Sequence, residues 1–167
     1  MNPRVGFGYD LHRLAPGRKL YLGGREIPFS KGSVGHSDGD CLIHAVIDAL
    51  LGAVGEGDIG QIFPDNDPRY KDARSVALLI EVMDRIKRKG FRILNLDSVI
   101  VAEEPRLSPH IPEMKNILCP ILGLAVDRLG IKAKTSEGLG LIGGGQAIAC
   151  WAVVLVGKSE KKTGKKA

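Results

Sequence analysis

Two short stretches hold the residue types from which a metal site can be built. The first is Asp10-Leu11-His12, and the second is Gly35-His36-Ser37-Asp38-Gly39-Asp40-Cys41-Leu42-Ile43-His44, followed shortly by Asp48. In extended backbone, residues i and i+2 point the same way, so Asp10 and His12 present a carboxylate oxygen and an imidazole nitrogen to one point. From Asp40 onward, apolar residues at 42, 46, 49, 50 and 53 recur at helical spacing, and Ser37 and Asp38 are good capping residues, so a helix starts here. On that helix Asp40, His44 and Asp48 fall at i, i+4 and i+8 and make one polar stripe on an otherwise apolar element. Taken alone, the stripe reads most plainly as a core histidine satisfied by neighbouring carboxylates. Joined to Asp10 and His12, however, His44 completes three ligands with no fourth, the pattern of a zinc site that keeps one position for water or substrate. Asp40 and Asp48 are then the candidates to accept the imidazole N–H that faces away from the metal.

The elements that must position these groups follow from the patterning. Val5, Phe7 and Tyr9 alternate along a first strand, residues 4–9, that delivers Asp10-Leu11-His12. Residues 19–22 and 25–29 flank Gly23-Gly24 and predict a hairpin, because paired glycines supply the positive φ of a two-residue turn. Residues 57–68 carry Asp58, Ile59, Gly60, Phe63, Asp65 and Asp67 among backbone breakers and predict a loop. Its aspartates are turn caps or ligands, and Asp58, set between glycines, is the one most open to a ligand. Residues 75–89, apolar at 76, 79, 80, 83 and 86 with basic residues in the last turn, predict an amphipathic helix. Residues 93–101 form a strand leading into a proline-broken segment, after which a helix runs from Pro112 to about Leu118, with Pro120 ending or kinking it and His110 capping. A short strand over 131–135 ends in Lys134-Thr135-Ser136-Glu137, where hydroxyls suit a phosphate. The glycines beyond it lack the G-K-[ST] of a P-loop and a following helix. Residues 147–156 are a last apolar strand. This order predicts an α+β single domain, a two-layer sandwich of a mixed sheet with helices on one face, centred on Val101, Ala133 and the last strand.

A chain of 167 residues, 44% hydrophobic and 26% charged, has the material for one core. No apolar run approaches the roughly 20 residues of a membrane helix, and the N-terminus lacks the charged and apolar regions of a signal peptide, so a cytoplasmic protein without a membrane partner is expected. Cys41, Cys119 and Cys150 are odd in number and lack C-x-x-C spacing, which marks them as small core residues. The net charge of +5 invites a nucleic-acid reading, but residues 157–167 hold five lysines and one glutamate and so carry most of it. Residues 1–156 are therefore the domain and 157–167 a basic, disordered tail, and no nucleic-acid partner is expected.

The ordered series Asp10-Leu11-His12, His36-Ser37-Asp38-Gly39-Asp40 with His44 and Asp48, Gly57-Asp58-Ile59-Gly60, Phe63-Pro64-Asp65-Asn66-Asp67-Pro68, Pro109-His110-Ile111-Pro112 and Lys134-Thr135-Ser136-Glu137 resembles, over residues 3–156, the 2-C-methyl-D-erythritol 2,4-cyclodiphosphate synthase family. The resemblance implies a lyase of the non-mevalonate isoprenoid pathway that cyclises 4-diphosphocytidyl-2-C-methyl-D-erythritol 2-phosphate and releases CMP. It implies one zinc ion per subunit on Asp10, His12 and His44, a Mg²⁺ or Mn²⁺ ion near Glu137, and phosphate-stabilising roles for His36 and Thr135. Around the methylerythritol part it implies Ser37, Asp58, Gly60, Asp65 and Asp67, and around the cytidine residues 102–108, among them Ala102, Arg106, Leu107 and Ser108, with Ala133 and Lys134. Asp10, His12, Ile59, Phe63, Ser136 and Leu141 are implied as further substrate contacts. It also implies a homotrimer whose active sites lie between neighbouring subunits and whose axis encloses an apolar cavity.

Two departures from the family pattern have chemical content. Arg106 stands where lysine is usual, which keeps the charge but changes its reach. Gly143-Gly144-Gly145-Gln146 replaces a G-R-x-E segment, so the arginine implied at the axial cavity is missing, and weak binding of an isoprenoid diphosphate there is expected. The same three ligands would also serve a zinc-dependent phosphohydrolase acting on a nucleoside diphosphate derivative. A binding module with a structural zinc would need a fourth protein ligand, for which no cysteine or histidine is placed.

Overall fold

A computed structural model describes residues 2–159. Its five-stranded sheet is mixed, as expected. Strand β1 (Arg4–Pro16) runs well beyond Tyr9 and pairs antiparallel with β7 (Ala147–Lys158), whose other antiparallel neighbour is β5 (Phe91–Val101). Strand β6 (Leu129–Lys134) lies parallel to β5, and β4 (Lys31–Ser33) edges β1, giving the order β4-β1-β7-β5-β6. The centre is therefore β7 with β5 and β1 beside it, and Ala133 lies on the β6 edge rather than in the middle. A parallel pair needs a crossover, and since β7 already occupies one side of β5, the crossover sets β6 down on the outside. A separate hairpin, β2 (Leu20–Leu22) and β3 (Arg25–Ile27), turns through Gly23 and Gly24 at φ 60° and 82°.

The helices cover one face. Helix α1 (Cys41–Val54) is apolar almost all round, and all but Asp48 and Gly52 of its residues are buried. It begins at Asp40, whose side chain caps Ile43 N, and not at Ser37 or Asp38. It lies against β1 at Gly6 and Gly8, whose missing side chains let the two backbones meet: a Cβ on Gly8 would sit 2.7 Å from Ala49 N. Helix α3 (Ser75–Arg88) buries Leu78, Leu79, Val82, Met83 and Ile86 and ends one residue from the predicted limit. Helix α4 (Ile111–Leu122) is longer than predicted: it continues through Pro120 at the loss of one i→i−4 hydrogen bond, and left-handed Gly123 closes it.

Two single turns of helix occupy segments expected to be irregular: α2 (Ile59–Ile62) inside the 57–68 loop and α5 (Gly140–Gly143) inside the glycine run. Four residues are too few to show a hydrophobic period, so only the cap at Asp58 could have announced α2. Strand β7 takes the first two residues of the expected tail, and residues 160–167, with the disorder expected of them, lie outside the described residues. All three cysteines are buried and free. Among the described residues no helix is long and apolar enough to cross a membrane.

Candidate metal centre

The alternation of β1 aims Asp10 and His12 at the helix layer, on the same side as Gly6 and Gly8. His44, in the first turn of α1, meets them there. Asp10 Oδ2 lies 2.8 Å from His12 Nδ1 and 3.3 Å from His44 Nδ1, and one ligand atom from each residue falls within 4.8 Å of the others. Zinc bonds of about 2.0–2.2 Å set tetrahedral ligand atoms roughly 3.3–3.6 Å apart, so a small closing or opening of this triangle accepts the ion. Asp10 Oδ2 and His12 Nδ1 are also buried without a satisfied hydrogen bond. Orphaned donor atoms that converge on one point fit a cation. Cys41 Sγ, whose thiol burial pushes its pKa upward, donates to the Asp10 carbonyl at 3.2 Å and ties the helix start to the strand.

Neither carboxylate expected behind His44 is there. Asp40 spends its oxygens on Gly23 N (3.0 Å), Gly24 N (2.7 Å) and Ile43 N (3.0 Å), because the cap position of α1 also faces the β2–β3 turn. Asp48 accepts from Ile59 N at 2.8 Å and anchors α2. His44 Nε2 instead faces Ser75 Oγ at 2.8 Å and Ser37 Oγ at 3.2 Å.

The ligands line a cavity of about 340 Å³ shared with His36, Ser37, Ile59, Gly60, Phe63 and Asp65, so the structure brings most of the sequence-predicted metal-side residues together. His36 Nε2 lies 3.4 Å from the Asp67 carbonyl. Asp58 and Asp67 do not line this cavity. Asp58 caps α2 through Gln61 N (2.9 Å) and Gln61 Nε2 (2.6 Å), while Asp67 caps the Pro68–Tyr70 turn and pairs with Arg69 at 2.6 Å. Asp58 is nevertheless exposed at the start of α2: the glycine before it turns the chain, and the aspartate caps the helix.

A second cavity of about 370 Å³ is lined by residues 102–108 with Ala133, Lys134 and Thr135, and it shares no residue with the first. Thr135 Oγ1 donates to Glu137 Oε1 at 2.9 Å, and Arg106 Nε donates to Ser108 Oγ at 3.2 Å. Ser136 turns its hydroxyl to the Leu139 carbonyl at 2.8 Å. Glu103, within the stretch implied around the cytidine, accepts from Ser136 N (3.2 Å) and Gly138 N (3.4 Å) and so braces the loop that carries Glu137. Leu141 belongs to neither cavity; it lines a third, of about 290 Å³, with Leu11, Arg13, Leu14, Gln146 and Ala147. Arg13 therefore puts a cationic residue beside Gln146, in a cavity where the glycine run alone had suggested none.

Burial disfavours the charged forms of all three ligands, but their closeness reverses that. His12 is raised from 6.5 to about 9 by Asp10, His44 is raised mainly by the same carboxylate, and Asp10 is held well below its usual range by the two imidazoles. A raised histidine contributes stability that is complete below pH 6.5 and lost as pH rises through about 9; the lowered Asp10 contributes above pH 3.8 and loses its share as pH falls through its depressed value. Protein stripped of metal should accordingly melt at a lower temperature at pH 9 than at pH 6. His12→Ala should flatten that difference, and an equal slope in both proteins would refute the pairing.

Fold and site together define an α+β protein with a candidate metal site made of one carboxylate and two imidazoles. The chain belongs to the YgbB family, whose model matches residues 3–157. Relatives named 2-C-methyl-D-erythritol 2,4-cyclodiphosphate synthase from Gloeobacter violaceus and Dehalococcoides mccartyi are 54% and 55% identical over 153 residues, covering 92% of this chain and 94% and 98% of theirs. The structure of Plasmodium falciparum IspF in complex with CDP is 32% identical, with a TM-score of 0.84 over 95% of this chain and 98% of that one. The bifunctional IspDF from Campylobacter jejuni is 36% identical, with a TM-score of 0.91 over 95% of this chain and 43% of that one.

Proposed function

We infer that the two cavities serve one reaction, the cyclisation of 4-diphosphocytidyl-2-C-methyl-D-erythritol 2-phosphate. The chain is a lyase of the YgbB family, whose relatives here are named for the cyclic product. An oxygen of the 2-phosphate attacks the β-phosphorus, a new P–O bond forms, the bond from that phosphorus to the bridging oxygen breaks, and CMP leaves with the bridging oxygen. No side-chain nucleophile is needed; the protein has to fold the substrate and spread charge over the phosphoryl oxygens. The observation that carries this reading is the convergence of Asp10, His12 and His44 at the floor of an open cavity.

Asp10, His12 and His44 would hold zinc, which when bound supplies polarisation of a phosphate oxygen. Glu137 is the ligand proposed for Mg²⁺ or Mn²⁺ on the diphosphate. His36, at the metal-side cavity, donates to the phosphates, while Ser37, Gly60 and Asp65 orient the methylerythritol hydroxyls. Residues 102–108 with Ala133 and Lys134 receive the cytidine. Because metal-side and base-side cavities are separate within one chain, we propose that a neighbouring copy supplies the second to the first, in a cytoplasmic homotrimer. The supporting feature is an unpartnered outer sheet face on which Val5, Phe7, Tyr9, Leu11 and Val153 are exposed.

Phosphorus NMR of products, with metal analysis of the protein, tests the reading. Cyclic diphosphate and CMP are expected; an acyclic product that takes up oxygen from labelled solvent would mean hydrolysis instead. Thr135→Ala should lower kcat with little change in KM, since we assign its hydroxyl, which here donates to Glu137, to turn toward the charge of the transition state. A hydrogen bond to a charged group is worth about 1.5–3 kcal/mol, so a loss of roughly ten- to a hundredfold is expected, and a change confined to KM would contradict the role.

A further inference from the structure

Behind His44 runs a buried chain of polar groups that the metal ligands do not explain. His44 Nε2 lies 2.8 Å from Ser75 Oγ, and Ser75 Oγ lies 2.5 Å from Asp38 Oδ1. Ser75 has no exposed surface, and the Asp38 side chain is 5% exposed. A hydroxyl has one proton to give. The carboxylate can only accept, so Ser75 donates to Asp38 and must accept from His44. That assigns the His44 proton to Nε2 and leaves the Nδ1 lone pair pointing at Asp10 Oδ2, the place of the metal. Ser37, the other neighbour of Nε2, is the weaker partner: it lies at 3.2 Å, and its oxygen already accepts from Gly39 N.

Asp38 is itself fixed. It accepts from Ser75 N at 3.1 Å and from Arg74 Nε at 3.0 Å, and Arg74 is clamped between the Gly24 carbonyl and the face of Tyr21, 4.1 Å from the ring centroid. The line from Tyr21 and Arg74 through Asp38 and Ser75 to His44 thus joins the β2–β3 hairpin and the first turn of α3 to a ligand on α1. We propose that Ser75, with Asp38 behind it, is a positioning residue that sets the tautomer and ring orientation of His44 for the metal. The proposal rests on the metal-site reading of Asp10, His12 and His44, and it deepens that reading by adding two residues that touch neither metal nor substrate.

The test is zinc affinity, measured by competition with a chromophoric chelator on the purified full-length protein, set beside the melting temperature of each metal-free form. Ser75→Ala should weaken zinc binding about ten- to a hundredfold while the metal-free melting temperature shifts little, and Ser75→Thr, which restores a hydroxyl, should recover most of the affinity. Asp38→Asn should weaken zinc in the same direction, because an amide N–H can donate to Ser75 and turn the hydroxyl proton toward His44; it also carries the test if Ser75→Ala does not fold. Zinc affinities of the folded variants within twofold of the unmodified protein would overturn the positioning role while leaving the metal site standing. An unmodified protein that takes up no zinc would overturn both.

Discussion

His44→Ala is expected to lose its zinc and about a thousandfold or more of its turnover while keeping its fold. An open site with three protein ligands has none to spare, and removing one leaves Asp10 and His12 as a two-point contact exposed to competition from water. Metal polarisation is worth several kcal/mol at a phosphoryl oxygen, and each 1.36 kcal/mol is tenfold in rate, which sets the size of the loss. Asp10→Ala should behave alike for a different reason: it removes the carboxylate that lies against both imidazoles. The fold should survive both changes, since α1 is held by Leu42, Ile43, Val46, Ile47, Leu50 and Leu51, all fully buried. The measurement is metal content per chain with turnover, compared with unmodified protein from which metal has been removed. One zinc per chain and full activity in His44→Ala would refute the assignment of the site.

The residues that make this site were legible because they break a pattern. Asp10 and His12 interrupt an apolar strand at spacing two, and His44 interrupts an apolar helix, so burial could be expected of all three and a shared reason for their polarity inferred. Ser75 and Glu103 break nothing: a serine at a helix start and a glutamate in a proline-rich loop are ordinary there, and only the tertiary fold shows that one faces His44 and the other holds the Glu137 loop. Asp40 and Asp48 were misplaced as partners of His44 by helical spacing alone, because spacing gives the direction of a side chain and not which backbone amides compete for it. The face of β1 was not legible. Val5, Phe7 and Tyr9 mark β1 as a strand, and they lie on the open side, while Gly6 and Gly8 between them face the helix. Alternation identifies two faces, but it cannot say which one is covered when the covered face is lined with glycine.

That face makes Gly8→Ala a damaging substitution, small as it is. An added Cβ would stand 2.7 Å from Ala49 N and within forbidden distance of the Ala45 carbonyl, both backbone groups of a fully packed helix that cannot rotate away. Helix and strand must part by about an ångström, and overpacking of this kind costs typically 1–3 kcal/mol and sometimes more. At about 2–4 °C per kcal/mol for a domain of this size, the melting temperature should fall by roughly 2–12 °C. The site should suffer more than the fold, because His44 precedes Ala45 on the displaced helix while Asp10 follows Gly8 by two residues on the strand. Metal sites tolerate only about 0.2 Å in ligand distance, so zinc affinity should collapse even in the fraction that stays folded. Gly52→Ala supplies the control on the same helix: nothing lies within 4 Å of its added Cβ, its backbone is helical, and alanine there should stabilise by about 0.5–1 kcal/mol. The paired result, a loss of melting temperature and zinc at position 8 and a gain in melting temperature with unchanged zinc at position 52, would locate the sensitivity at the helix–strand contact. Equal behaviour of the two variants would show that the close approach of α1 to β1 does not set the geometry of the metal site.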